Sequence, residues 1–180
     1  MNTPATKTTN KPQQMGRRQR PKTRYGQQMG EKQTLKEVYG ISESQLKRYY
    51  TEAKKKREST GNQLIVLLER RLDNAVYRAG FAVTRPAARQ IVSHGFFEVN
   101  GRRVTVPSFR VKTDDVVTIK QSKRGKALFT MFPKSLQNVH TPPWVLLNPE
   151  EFSFTIKTLP KYEDAQAGVD VQGIVEFLSR

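Results

Sequence analysis

Cysteine is absent from this chain of 180 residues and histidine occurs only twice. Disulfides and a thiolate zinc site are therefore excluded. His94 and His140 have no third ligand near them in sequence, so no metal or cofactor is expected. Long apolar runs are missing too: nothing approaches the roughly 20 residues a membrane-spanning helix needs. The start of the chain has no signal-peptide core, and residues 1–14, although free of acid, show no apolar helical stripe of the transit-peptide kind. The protein is expected to stay in the compartment where it is made, away from membranes. Acid is scarce, with 16 Asp and Glu against 32 Lys and Arg and a net charge of +16. An enzyme seldom carries such an excess, whereas a protein bound to a polyanion often does.

The excess is uneven. Residues 1–62 hold 15 basic and 5 acidic side chains, and residues 70–126 hold 13 and 4, whereas residues 127–180 hold 4 and 6. Solubilising charge is usually interspersed with the opposite sign. This distribution instead describes two phosphate-facing segments and a last third that faces something else.

Residues 1–14 are Thr, Asn, Pro, Lys and Gln without hydrophobic period, and read as disordered in isolation. The stretch from Met15 to Tyr25 gathers Arg17, Arg18, Arg20, Lys22 and Arg24 around Pro21, an arm that would order against phosphate. A short helix is expected over Gln33 to Tyr39. Ser42 with Gln45 forms a capping box that opens a second helix. Leu46, Tyr49, Tyr50 and Ala53 would be its buried side, and Lys47, Arg48, Lys54, Lys55, Lys56 and Arg57 its outward side. Gly30, Gly40 and Gly61 read as helix stops. One long helix then runs from Gln63, with Leu64, Leu67, Leu68, Leu72, Ala75, Val76 and Ala79 on one face.

Thr84 offers an N-cap with Pro86 in the first turn of the next helix, whose stripe is Ala88, Ile91 and Val92. After Gly95 the period becomes alternating through Phe97 and Val99. Asn100-Gly101 is a hairpin signal, Val104 and Val106 continue the return, and Val116 to Ile119 form a further strand. The basic residues lie mostly off these apolar faces: Arg71, Arg78, Arg85, Arg89, Arg102, Arg103, Arg110, Lys112 and Lys120. Arg102 and Arg103, adjacent on a strand, point oppositely, so one of them is expected to be a direct contact. Further on come a basic loop at Ser122 to Lys126, a rigid Pro-Pro-Trp connector ending at Trp144, and a strand through Phe152, Phe154 and Ile156. Ile174 to Leu178 fits either a strand or a last helical turn.

No catalytic set holds together. His94 reads as an RNA-facing or capping group. Arg71-Leu72-Asp73 superficially matches a pseudouridine synthase motif, but the chain has no room for that catalytic domain. Asp73 is better read as fixing Arg70 or the neighbouring loop. The chain is expected not to be an enzyme.

The run R-L-D-N…V-Y-R-x-G-F…T-R-x-x-A-R-Q-I-V-S-H-G…V-N-G…D-V-V resembles the S4-type RNA-binding domain. The flanks, Glu31 to Lys56, Thr60 to Asn74, Pro143-Trp144 and VDVQGIVEFLSR, resemble the bacterial small-subunit ribosomal protein of the same name. The resemblance implies an α+β fold: a mainly helical domain interrupted by an inserted S4-type RNA-binding domain, two helices on a small bent sheet. It implies a division into residues 1–14, a basic arm and helical part over 15–69, the RNA-binding domain over 70–132, and a segment over 133–180 that returns to the helical part. It also implies a ribosome-bound, cytoplasmic constituent of the small subunit. The family binds a multi-helix junction near the 5′ end of small-subunit rRNA early in assembly, touches neighbouring small-subunit ribosomal proteins, lies near the path by which mRNA enters, and bears on translational accuracy. The basic residues named above, from Arg17 to Lys120 and including His94, are the candidate RNA contacts. Arg85, Arg89, the hairpin and the Lys47–Arg57 helix are expected to form one positive surface. The rival reading is a non-ribosomal RNA-binding factor, or an RNA-modifying enzyme fragment using the same module.

Overall fold

The computed structural model describes residues 23–56, 58–125, 141–165 and 168–179. Expectations for Arg17, Arg18, Arg20, Lys22, Arg57, His140 and residues 1–14 lie outside them.

Helix α1 spans Arg24–Tyr39, opened by Thr23, whose hydroxyl accepts from the Gly26 amide. It begins well before Gln33, so Arg24 is a helical residue and Gly30 lies inside the helix. The apolar signal is weak there because this half of α1 is held by a partner distant in sequence, described below. Helix α2, Glu43–Lys54, carries the reciprocal capping box of Ser42 and Gln45. Leu46, Tyr49 and Ala53 are buried, while Tyr50 is half-buried.

The long helix expected from Gln63 is two helices. Helix α3 runs Thr60–Glu69, taking in Gly61, and α4 runs Leu72–Arg78. Arg71 between them is extended (φ −66°, ψ 138°) and forms an antiparallel bridge with Arg110. The amide of Leu72 donates to the Phe109 carbonyl at 2.8 Å. A strand-like contact some forty residues downstream thus interrupts a helix whose apolar period continues. Helix α5 is Arg85–Ser93, with Thr84 accepting from the Ala87 amide and Pro86 in the first turn.

Strands β1 (Phe97–Val99) and β2 (Arg102–Val104) form the hairpin. Asn100 and Gly101 both have positive φ, 50° and 76°, which the favoured two-residue turns require. Val106 lies past the end of β2 and is exposed. Strand β3 is Val116–Ile119. The stretch expected as a basic loop starts as one helical turn, α6, Gln121–Arg124. Strands β4 (Val145–Asn148) and β5 (Ser153–Ile156) follow. The sheet is antiparallel in the order β2-β1-β3-β5-β4. A 3-10 turn at Tyr162–Asp164 leads to α7, Val171–Ser179, which is the helical alternative for the last residues.

Two apolar clusters share no member. In the sheet unit, Ala75, Val76, Ala79, Ala88, Ile91 and Val92 of the helices cover Phe97, Val99, Val117, Ile119, Phe154 and Ile156. Phe81 meets Phe97 edge-on at 5.9 Å and Phe154 at 5.6 Å. In the helical unit, Leu35, Tyr39, Leu46, Leu64, Ile65 and Leu68 surround Val171 and Ile174 of α7. Of the segment over 133–180, expected to return to the helical unit, the described residues divide: Trp144, β4 and β5 extend the sheet and its core, and α7 packs with α1 and α3. Strand β5 pairs with β3 because Val117 and Phe154, opposite each other, put two buried side chains on one face.

Candidate nucleic-acid interface

Helix α2 and the two residues after it present Lys47, Arg48, Lys54, Lys55 and Lys56 to solvent. The three-and-four spacing that buries Leu46, Tyr49 and Ala53 leaves these positions facing outward. Beside them the chain between β2 and β3 folds back, and the two elements enclose a cleft of about 610 Å³. Lys47, Arg48, Lys55 and Arg110 line it, with Gln45, Tyr49, Thr51 and Ser108 supplying polar groups and Glu52 the one acid. On the sheet unit Arg102 and Lys112 are exposed. Among the described residues, the side chains of Lys47, Arg48, Lys54, Lys55, Lys56, Arg102 and Lys112 have no hydrogen-bond or ion-pair partner, so they are available to phosphate.

Six of the remaining candidates, Arg24, Arg71, Arg78, Arg85, Arg89 and Arg110, donate to acceptors within the protein. Arg71 is buried; its Nε and Nη2 donate to Asp73 at 3.0 and 2.6 Å and its Nη1 to the Tyr49 hydroxyl at 2.9 Å. Burial works against its charge, but Asp73 and Tyr49 outweigh that and hold its pKa above the ordinary value. Asp73 thus fixes Arg71 rather than Arg70, and it also accepts from the Asn74 amide. Arg78 donates from Nε and Nη2 to Glu69 at 3.1 and 3.0 Å. Glu69 is fully buried and also accepts from the Tyr39 hydroxyl at 2.6 Å and Asn74 Nδ2 at 2.8 Å. Burial, followed by the Glu69 carboxylate, pushes the Tyr39 hydroxyl pKa well up.

Arg85 and Arg89 are both half-buried on α5, and both side chains are engaged by the protein. Arg85 Nε donates to Asn74 at 2.8 Å and its guanidinium lies over the Tyr77 and Tyr39 rings, 4.4 and 5.1 Å from their centroids. Arg89 Nη1 donates to the Gly40 carbonyl. Arg110 grips Glu52 with both terminal nitrogens, the longer contact at 2.6 Å. Arg85 and Arg89, expected in one positive surface with α2 and the hairpin, are thus bonded to protein acceptors, whereas the α2 cations and Arg102 are exposed.

Arg24 pairs with Glu176 at 2.8 Å, tying α1 to α7 rather than extending an arm. His94 is the exposed C-cap of α5. Arg102 and Arg103 are both exposed, but the Arg103 guanidinium folds over Gly95. The positive φ of 68° explains glycine at position 95. Lys120 is half-buried and its backbone amide donates to the Phe96 carbonyl.

Sequence reasoning passed over the acceptors Glu52 and Glu69, and also Arg70, whose Nε donates to the Val111 carbonyl and whose burial lowers its pKa. Lys32 and Lys36 were also missed; both pair with Glu43 at 3.0 Å. Acidic residues among cations were the available signal. Among the described residues no group of three His, Cys, Asp or Glu side chains could hold a metal ion. None of their helices is long and apolar enough to cross a membrane.

Two helices packed on a small antiparallel sheet, joined to a helical unit with a cationic cleft between them, form the architecture of an RNA-binding protein built on the S4 domain. Residues 70–117 match the model of the S4 domain, and residues 2–69 that of the ribosomal protein S4/S9 N-terminal domain. The boundary between the two falls at the break between α3 and α4. The small ribosomal subunit protein uS4 of Chloroflexus aurantiacus is 43% identical over 165 residues, 91% of this chain and 80% of that protein. Its namesake in Thermoanaerobacter sp. strain X514 is 42% identical over 169 residues, 94% and 81% of the two. That of Thermosipho africanus is 42% identical over 166 residues, 92% and 79%. The chain belongs to the uS4 family of small ribosomal subunit proteins.

Proposed function

We propose that the chain is a constituent of the small ribosomal subunit in the cytoplasm, held there by a folded region of small-subunit rRNA. The observation that carries this reading is the cleft itself. It brings Lys47, Arg48, Lys55 and Arg110 from two structural units to one place, and among the described residues the first three make no side-chain hydrogen bond or ion pair. Side chains cannot readily enter the deep groove of A-form RNA, so a protein recognises such RNA by shape and phosphate. Lysines and arginines at the junction of two rigid units suit a branched RNA whose helices diverge. Binding a multi-helix junction near the 5′ end early in assembly is consistent with that arrangement. The family resemblance supports contacts to neighbouring ribosomal proteins, a position near incoming mRNA and a part in accuracy. The mildly acidic last third of the chain suits a protein-facing surface.

The direct test is equilibrium binding to a branched 5′ fragment of small-subunit rRNA. Arg48→Glu with Lys55→Glu is expected to weaken binding at least about tenfold, since each removes an attractive charge and adds a repulsive one. Lys157→Glu, on the sheet unit away from the cleft, serves as the control. Equal losses in both variants would refute the placement.

A further inference from the structure

Four arginines of the sheet unit donate hydrogen bonds to acceptors of the helical unit. Arg71 reaches the Tyr49 hydroxyl, Arg78 reaches Glu69, Arg89 reaches the Gly40 carbonyl, and Arg110 reaches Glu52. The donors all come from one side and the acceptors from the other. The two apolar clusters share no residue, so this polar seam is a principal tie between units that otherwise have separate cores. An apolar seam tolerates sliding, whereas a two-pronged guanidinium–carboxylate pair fixes direction.

We propose that the seam is a positioning device: it locks the angle between the α2 cations and the hairpin cations, so that the protein distinguishes branched RNA from plain duplex. This rests on the RNA-binding reading above. Two cationic surfaces joined rigidly engage together only where the RNA presents phosphates at the matching angle. With the seam loosened, either surface still attracts phosphate, but the angle no longer selects. Glu52 makes the proposal testable against bulk electrostatics. Replacing it removes a negative charge beside the cleft, so charge counting alone predicts tighter binding to every RNA. The seam predicts instead a loss of discrimination.

The chain has no cysteine, so nitroxide labels can be placed at Asn62→Cys on α3 and Gln90→Cys on α5, both exposed. Electron–electron distance measurements are expected to give one narrow distribution in the parent chain and a broad one in Glu52→Gln with Tyr49→Phe. In unlabelled protein, the ratio of affinities for a branched rRNA fragment and a duplex of matched length should fall about tenfold in that variant, a coupling of ordinary size. Binding to the duplex itself should hold or rise. Glu52→Gln alone, a surface change that leaves the core intact, should lower the ratio about threefold. The charge swap Glu52→Arg with Arg110→Glu should recover part of it. An unchanged distance distribution overturns the proposal whatever the RNA result. Broadened distances with the preference for branched RNA intact overturn it while sparing the functional reading. A parent chain with no such preference overturns both.

Discussion

The arginines of the seam and the lysines of α2 carry the same charge in one molecule, yet their surroundings differ completely. Arg71 and Arg78 are surrounded by carboxylates and phenolic hydroxyls, and little of either side chain reaches solvent. Lys47, Lys54, Lys55 and Lys56 are exposed and, among the described residues, make no hydrogen bond or ion pair through their side chains. A cation already satisfied by a buried carboxylate has little to offer a phosphate, because leaving its partner would strand a buried charge. An unpaired surface lysine gives up only hydration. The comparison shows that a count of basic residues overstates the binding surface of such a protein, and that its geometry depends on the residues that are not free.

The sharpest way to break the comparison is Arg78→Ala. It leaves Glu69 buried without its ion-pair partner, and the expected cost is about 3–5 kcal/mol. Thermal unfolding followed by circular dichroism should show it, whereas Lys54→Ala should leave the transition within experimental error. If the two variants melted alike, the division into inward and outward cations would be wrong. Of intermediate size is Ser42→Ala, which removes the N-cap of the helix that carries the outward lysines. A loss of about 1 kcal/mol is expected, read from denaturant unfolding.

A smaller effect is the pH response of the Glu52–Arg110 pair. The hydrogen bond from Arg110 holds the Glu52 carboxyl below its ordinary value of 4.5. A depressed folded pKa means that the pair stabilises the protein above that value and that the contribution is lost as pH falls through the lower, folded one. The melting temperatures of the parent chain and Glu52→Gln should therefore differ at neutral pH and converge below pH 4.5. A constant gap down to the acid limit would contradict the pairing.

Much of the fold was legible because its signals are local. The Ser42 capping box, the Thr84 cap with Pro86, and the Asn100-Gly101 turn each depend on residues within a few positions of one another. The break between α3 and α4 was not legible, since the apolar period runs through it and its cause is the bridge from Arg71 to Arg110. The start of α1 was hidden similarly: Arg24 is held by Glu176, 152 positions away. The same limit governs the interface. The outward set on α2 follows from helical spacing alone. Arg110 could not be sorted, because its partner Glu52 lies 58 residues earlier. Nor could Arg85 and Arg89: the shared face was evident, but not that it turns toward Asn74 and Gly40.

The central claim is that outward cations bind and inward arginines position. It is tested most directly by the salt dependence of affinity for the branched rRNA fragment. Neutralising Lys47, Arg48 and Lys55 together as glutamines should reduce the slope of log affinity against log salt by roughly 3, about 0.9 for each phosphate that is no longer neutralised, with the melting temperature unchanged. Arg89→Gln should lower the melting temperature and leave the slope alone. A slope that fell as far for Arg89→Gln as for the outward triple would contradict the account.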